Sequence, residues 1–229
     1  MLSDESTFAS TKIPKGKVAR FLDEGFKIQD VQQKENGKRT MKIQVRITAW
    51  RKIQTELMPL VGDTVAAQTL KAPSIHDEKL FLPSDFISEK ERQTLNLISL
   101  GVEEAKWREG EAFDHLRALQ NIVKTMTALC NRKGRDEHKQ KENTRAGDNI
   151  REAIALRDAH MASYKIARTA LIALNAGSGF PPLTEPDLYM KSVQQKRRVG
   201  DSRHTDGALW RIFSPIPLEE DIDMEGEGV

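Results

Sequence analysis

The sequence has a single cysteine, Cys130, few aromatic residues and no long apolar run. One thiol excludes an intrachain disulfide framework and a cysteine-based zinc site. Aromatic residues make up 6% of the chain, charged residues make up 31%, and the mean hydropathy is -0.56. Those values suit a helical protein with a thin core better than a compact globule. No stretch approaches the ~18 apolar residues of a membrane span, so no membrane partner is expected. The opening "MLSDESTFASTKIPKGK" lacks the apolar segment of a signal peptide, and its early acids argue against a transit peptide. The expectation is an intracellular protein.

Catalytic and cofactor motifs are equally scarce. Cys130 falls on the apolar stripe of a helix, where a thiol is expected as a small core residue rather than a nucleophile. His76, His115, His138, His160 and His204 are scattered, and no two stand four apart on one helix face as a zinc site of the His-Glu-x-x-His type requires. His138 and Glu142 share a face, but two ligands on a bend do not make a metal site. No Gly-Lys-Ser/Thr follows a strand, and the glycines Gly177 and Gly179 end a helix instead of opening one over a phosphate. The acids Glu103, Glu104, Glu111 and Asp114 have basic neighbours and read as a solvated face with weak ion pairs. No catalytic residue, cofactor, metal or small-molecule substrate is expected, and the chain reads as a non-enzyme.

What the sequence does contain is helical periodicity and uneven charge. The eleven residues "EEDIDMEGEGV" hold six acids, so the remaining body has 36 basic against 28 acidic residues. A body of that sign meets polyanions readily, and an acidic tail can compete for the same surface. The alternative reading is that both charge sets only keep the chain soluble.

Residues 1–20 read as a disordered segment. Phe21, Leu22, Phe26, Ile28 and Val31 follow as a short helical pattern broken near Asn36-Gly37. In "MKIQVRITAWRKIQTELMPLVG", Met41, Ile43, Val45 and Ile47 alternate like a strand. Ile43, Ile47, Trp50, Ile53, Leu57 and Val61 recur like a helix, and the longer pattern predicts helix. Residues 62–87 read as loop. Ser88 and Glu91 form a capping-box signature, with a pause expected near Ser99-Leu100-Gly101.

The clearest helix runs from Val102 to about Lys133. Leu116, Leu119, Val123, Met126 and Cys130 are spaced 3-4-3-4, a stripe of coiled-coil type. Ile150, Ile154, Met161, Tyr164, Leu171 and Leu174 supply a partner stripe interrupted by Arg157. Each helix could run on the order of 40 Å. The connecting "NRKGRDEHKQKENTRAGD" contains Gly134, Asn143 and Gly147, residues expected to end and cap helices. Beyond "NAGSGFPPL", a further helix capped by Thr184 and a last apolar patch, "ALWRIF", are expected.

The predicted fold is therefore all-α. It is an elongated antiparallel helical hairpin (about 102–175) with shorter packing helices, a disordered N-terminus and an acidic C-terminal tail. The expected boundaries are 1–20, a helical domain over 21–213, and the tail over 214–229. Trp50, Phe113, Leu116, Leu119, Val123, Tyr164 and Leu171 are the expected core.

Two basic clusters are the candidate nucleic-acid contacts. One comprises Arg132, Lys133, Arg135, Lys139, Lys141 and Arg145 in the bend, diluted by Asp136, Glu137 and Glu142. The other comprises Lys196, Arg197, Arg198 and Arg203, with Asp201 as its single acid, and also reads as a nuclear-import signal. Phosphate contact needs cations free of close acids. Neither cluster is interleaved with aromatics, so stacking on single strands is not indicated. The alternative for both is an ordinary exposed surface.

"EGFKIQDVQ", "ITAWRKIQTELMPLV", "LFLPSDF", "WREGEAFDHLRAL", "NTRAG", "YKIARTALIAL" and "VGDSR" occur in this order. The ordered set resembles the helical region near the C-terminal end of fungal Kyakuja-Dileera-Zisupton (KDZ) transposase-like proteins, from about Phe21 to Ile212. The family's larger members are DNA transposases with a ribonuclease-H-like core whose carboxylates hold metal ions. No motif of that core has a matching position here, so the resemblance transfers no catalytic residue. Family members continue past the "GDSR" region with Trp- and Arg-rich helix, whereas "ALWRIF" here gives way to proline and acid. The resemblance implies a stand-alone piece, either a gene relic or a reused module. The expected function is a non-catalytic transposase-derived module assisting DNA or nucleoprotein assembly. The alternatives are a protein-interaction or oligomerisation module, or a transposon relic with no retained function.

Overall fold

The computed structural model describes residues 15–34, 40–69, 74, 77–136, 140–188, 190 and 207–212. Among them the fold is all-α, with no strand. The helices are α1 (Lys15–Lys34), α2 (Thr40–Leu57), α3 (Gly62–Thr69), α4 (Glu89–Thr94), α5 (Ile98–Asp136), α6 (Gln140–Ala173) and α7 (Ala208–Arg211). The two long helices, α5 and α6, pack together as the expected hairpin. The disordered segments and acidic tail expected at the two ends lie largely outside the described residues, although α1 begins inside the first of them. The chain divides into two compact units. One contains residues 1–112 and 166–180, the other 113–165 and 181–229.

In the first unit, α1 packs on α2. The ambiguous segment resolves as helix: α2 buries Ile43, Ile47 and Trp50 while Met41 and Val45 are exposed. A strand would have put all four apolar residues of the alternation on one face, whereas the helical period separates them. Trp50 stacks on Phe21 with centroids 4.7 Å apart, and its indole N–H donates to the Phe21 carbonyl at 2.8 Å. Gly25 permits this approach, because a Cβ there would lie 3.1 Å from Trp50 Nε1.

Residues 62–87 are not all loop. Residues Gly62–Thr69 form α3, and "KLFLPSDF" is an irregular segment that buries Leu80, Phe81, Leu82 and Phe86. Buried loop backbone needs partners, and α2 supplies them. Gln54 Nε2 donates to the Leu80 and Phe81 carbonyls at 2.8 and 3.0 Å, and Arg51 donates to the Leu80 and Lys79 carbonyls at 2.6 and 2.8 Å. Phe81 is held at a φ of 61°, a left-handed conformation costly for an aromatic residue.

Helix ends differ from expectation in instructive ways. Helix α1 starts at Lys15, so the first helix extends into the segment read as disordered, with Val18 packed on the core. Ser88 precedes α4 as expected but makes no side-chain cap. The pause falls at Leu95–Leu97 rather than at Gly101, because Asn96 takes a left-handed φ of 55°. The N–H of Leu97 then returns to the Arg92 carbonyl at 2.8 Å. Asn175 ends α6 in the same way, with φ 61° and a 2.8 Å bond from the Ala176 N–H to the Leu171 carbonyl. Both are Schellman-type ends built on asparagine. So Asn175 takes the helix-ending role read for Gly177 and Gly179, and Asn96 sets the pause read near Ser99-Leu100-Gly101.

In the second unit, Leu116, Leu119, Ile122, Ala146, Tyr164, Leu188 and Leu209 are buried. Two core expectations fail there. Phe113 is 40% exposed and Val123 only half-buried. The stripe also thins toward the bend, since Met126 is half-buried and Cys130 is exposed rather than a core residue. The helix expected after Thr184 is a four-residue 3-10 turn, Glu185–Leu188. Its Asp187 carboxylate accepts from the Thr184 N–H and hydroxyl at 2.8 and 2.5 Å. Those bonds hold the Asp187 carboxyl below its ordinary range.

Candidate functional site

Helix α5 continues to Asp136 and α6 starts at Gln140, and residues 137–139 between them lie outside the described residues. Gly134 lies within α5, and Asn143 and Gly147 lie within α6, so none of the three ends a helix as expected. A glycine inside a helix costs about 1 kcal/mol relative to alanine, which hairpin packing overrides. Arg132, Lys133 and Arg135 occupy the last turn and a half of α5. Lys141 and Arg145 occupy the first turns of α6. The hairpin thereby gathers basic positions from two helices at one end. Arg145 is exposed. Lys139 lies outside the described residues, as do Lys196, Arg197, Arg198 and Arg203.

Three other places concentrate polar chemistry. The first is in the first unit, where Glu104 and Arg108 of α5 are buried, 3.5 Å apart. Glu104 accepts from the Ser84 N–H at 2.9 Å and its hydroxyl at 2.6 Å. Burial raises the Glu104 carboxyl above its ordinary range, against the opposing pull of Arg108. Arg108 donates to Glu111 and Gln29 at 2.8 and 2.6 Å and lies over the Phe26 ring at 3.8 Å. Its Nε has no hydrogen-bond partner. This cluster locks α1 and the Pro83–Asp85 turn onto α5, so Glu104 is structural rather than part of a solvated face.

The second place, also in the first unit, is an open groove of about 550 Å³ beside α2 and α3. Ile47, Met58, Val61 and Val65 form its floor, and Arg51 and Glu78, 2.8 Å apart, stand at its edge. The ion pair and the bonds to the loop carbonyls engage both Nη atoms of Arg51, so the groove offers apolar area more than a charged grip.

The third place is in the second unit. His115 of α5 and His160 of α6 approach with their Nδ1 atoms 3.1 Å apart. Spacing along a single helix does not show this pair, because its members are on different helices. A signal was available, since the two residues are nearly equidistant from the bend and antiparallel helices bring such positions together.

Among the described residues, no helix is long and apolar enough to cross a membrane, and no group of three or more His, Cys, Asp or Glu side chains is placed to hold a metal. No protein-family model, no curated protein and no solved structure matches the chain.

Proposed function

We propose that the chain is a non-catalytic helical module, derived from a KDZ-type transposase, that meets the DNA backbone through the end of the α5–α6 hairpin. The observation that carries this reading is the placement of Arg132, Lys133 and Arg135 at the end of α5 beside Lys141 and Arg145 at the start of α6. Five basic positions on two helices at one end of the hairpin make that end a basic tip. Such a tip can neutralise several phosphates and release their counterions. The transposase origin rests on the ordered motif stretches, none of which carries the carboxylates of the family's catalytic core. Lys196, Arg197 and Arg198 would add phosphate contacts or a nuclear-import signal.

The test is fluorescence anisotropy with a labelled random duplex over a range of salt concentrations. A log-log slope of about -3 or steeper is expected, and it should flatten by roughly one for each tip cation removed. Replacing Arg132, Lys133 and Arg135 with Gln separates the tip from the Lys196–Arg198 stretch. No binding at low salt sinks the DNA reading.

A second reading, a protein-interaction or self-association module, draws on exposed apolar side chains in the first unit. Ile98 and Val102 are 41% and 53% exposed and border a groove of about 330 Å³ with Leu174 and Ala176. Sedimentation over a concentration series checks it. Self-association abolished by Val102→Glu and indifferent to salt would favour this reading.

A further inference from the structure

We propose that His115 and His160 form a two-histidine site for a borderline transition-metal dication, Zn2+, Ni2+ or Cu2+, that staples α5 to α6. The inference goes beyond the DNA reading and does not depend on the basic tip. It also departs from the absence of metal that the sequence implies. The Nδ1 atoms stand 3.1 Å apart, with ring centroids at 5.3 Å and planes inclined by 60°. Metal–nitrogen bonds of 2.0–2.1 Å at a tetrahedral angle need an N···N separation of about 3.3 Å. The separation is therefore within a few tenths of an ångström of the one a bidentate pair needs, and both residues stand on helices. Preorganisation of that kind removes most of the ordering cost of binding.

Both rings are half-buried, so an ion can reach them from solvent. No third His, Cys, Asp or Glu completes a ligand group among the described residues. Two coordination positions are thus left for water or an external ligand, as in open rather than structural sites. Imidazole donors favour zinc, nickel and copper over magnesium or calcium, and copper should bind most tightly. In the metal-free pair one Nδ1–H donates to the other Nδ1. For both Nδ1 atoms to hold the ion that proton must leave, to Nε2 of the same ring or to solvent. At pH 5, protons compete for the same lone pairs and should expel it.

Isothermal titration of the full chain with Zn2+ at pH 7.5 should give one ion per chain. Binding at least tenfold weaker is expected in both His115→Gln and His160→Gln. His138→Gln and His76→Gln should bind as the wild type does, and binding should vanish at pH 5. Undiminished affinity in either of the first two variants overturns the proposal. Electron paramagnetic resonance of the wild-type chain with one equivalent of Cu2+ needs no variant to fold. Coupling to two imidazole nitrogens is expected, and coupling to one or none overturns the site.

Discussion

Gly25 and Gly110 are both glycines inside long helices, yet the same substitution should act on them in opposite directions. Alanine is favoured over glycine in a helix interior by about 1 kcal/mol. At Gly110 of α5 nothing lies within 4 Å of an added Cβ, so Gly110→Ala should gain about 0.5–1 kcal/mol. At Gly25 of α1 the methyl would lie 3.1 Å from Trp50 Nε1 and 3.3 Å from Cζ2. Trp50 has little room to yield, because it is buried, stacked on Phe21 and bonded to the Phe21 carbonyl. Overpacking a tight core costs typically ~1–3 kcal/mol, so Gly25→Ala should be net destabilising by about 1 kcal/mol. Trp50→Phe removes the crowding atoms at a cost of about 2 kcal/mol in lost packing and hydrogen bonding. In that background Gly25→Ala should become stabilising, which gives a coupling of about 2 kcal/mol across the cycle. Urea unfolding of the four chains and of Gly110→Ala, followed by far-ultraviolet circular dichroism, measures every term. A Gly25→Ala step equal in both backgrounds within ~0.5 kcal/mol would refute the argument, as would a wild-type gain matching that at Gly110.

Two further substitutions probe the two units, beside the salt-dependent DNA binding and the metal titration already described. Burial raises the Glu104 carboxyl, so its contribution to stability is full below the ordinary glutamate value near 4.5 and is lost as pH rises through the higher folded value. The stability of wild type relative to Glu104→Gln should therefore fall between acidic and neutral pH, read as urea midpoints. A rise instead would mean that the attraction of Arg108 outweighs burial. In the second unit, a Cβ on Gly207 would lie 2.1 Å from the Asp187 carbonyl oxygen. Gly207→Ala should part α7 from the Glu185–Leu188 turn, break the 3.2 Å bond from the Trp210 indole N–H to the Leu188 carbonyl, and lower the melting midpoint by about 5 °C. An unchanged midpoint would show that this contact yields freely.

The sequence by itself determined the helical class and the hairpin. Those follow from the 3.6-residue period of Ile43, Ile47 and Trp50 and of Leu116, Leu119 and Val123, which local geometry imposes wherever one face is buried. It also determined the basic composition of the bend, because composition needs no coordinates. Only the tertiary structure decided which end of each stripe is covered. The stripe of Leu116 and Leu119 is buried, while its continuation to Cys130 ends exposed, although the spacing is the same throughout. Only tertiary structure, too, turned Glu104 from a surface acid into a buried one. Arg108 is its neighbour one turn along α5, but Ser84, which donates to its carboxylate, arrives from a separate segment. The His115–His160 contact has the same origin. Sequence patterns report neighbours three or four residues apart on one helix. A pair 45 residues apart exists only once two helices have packed in one register.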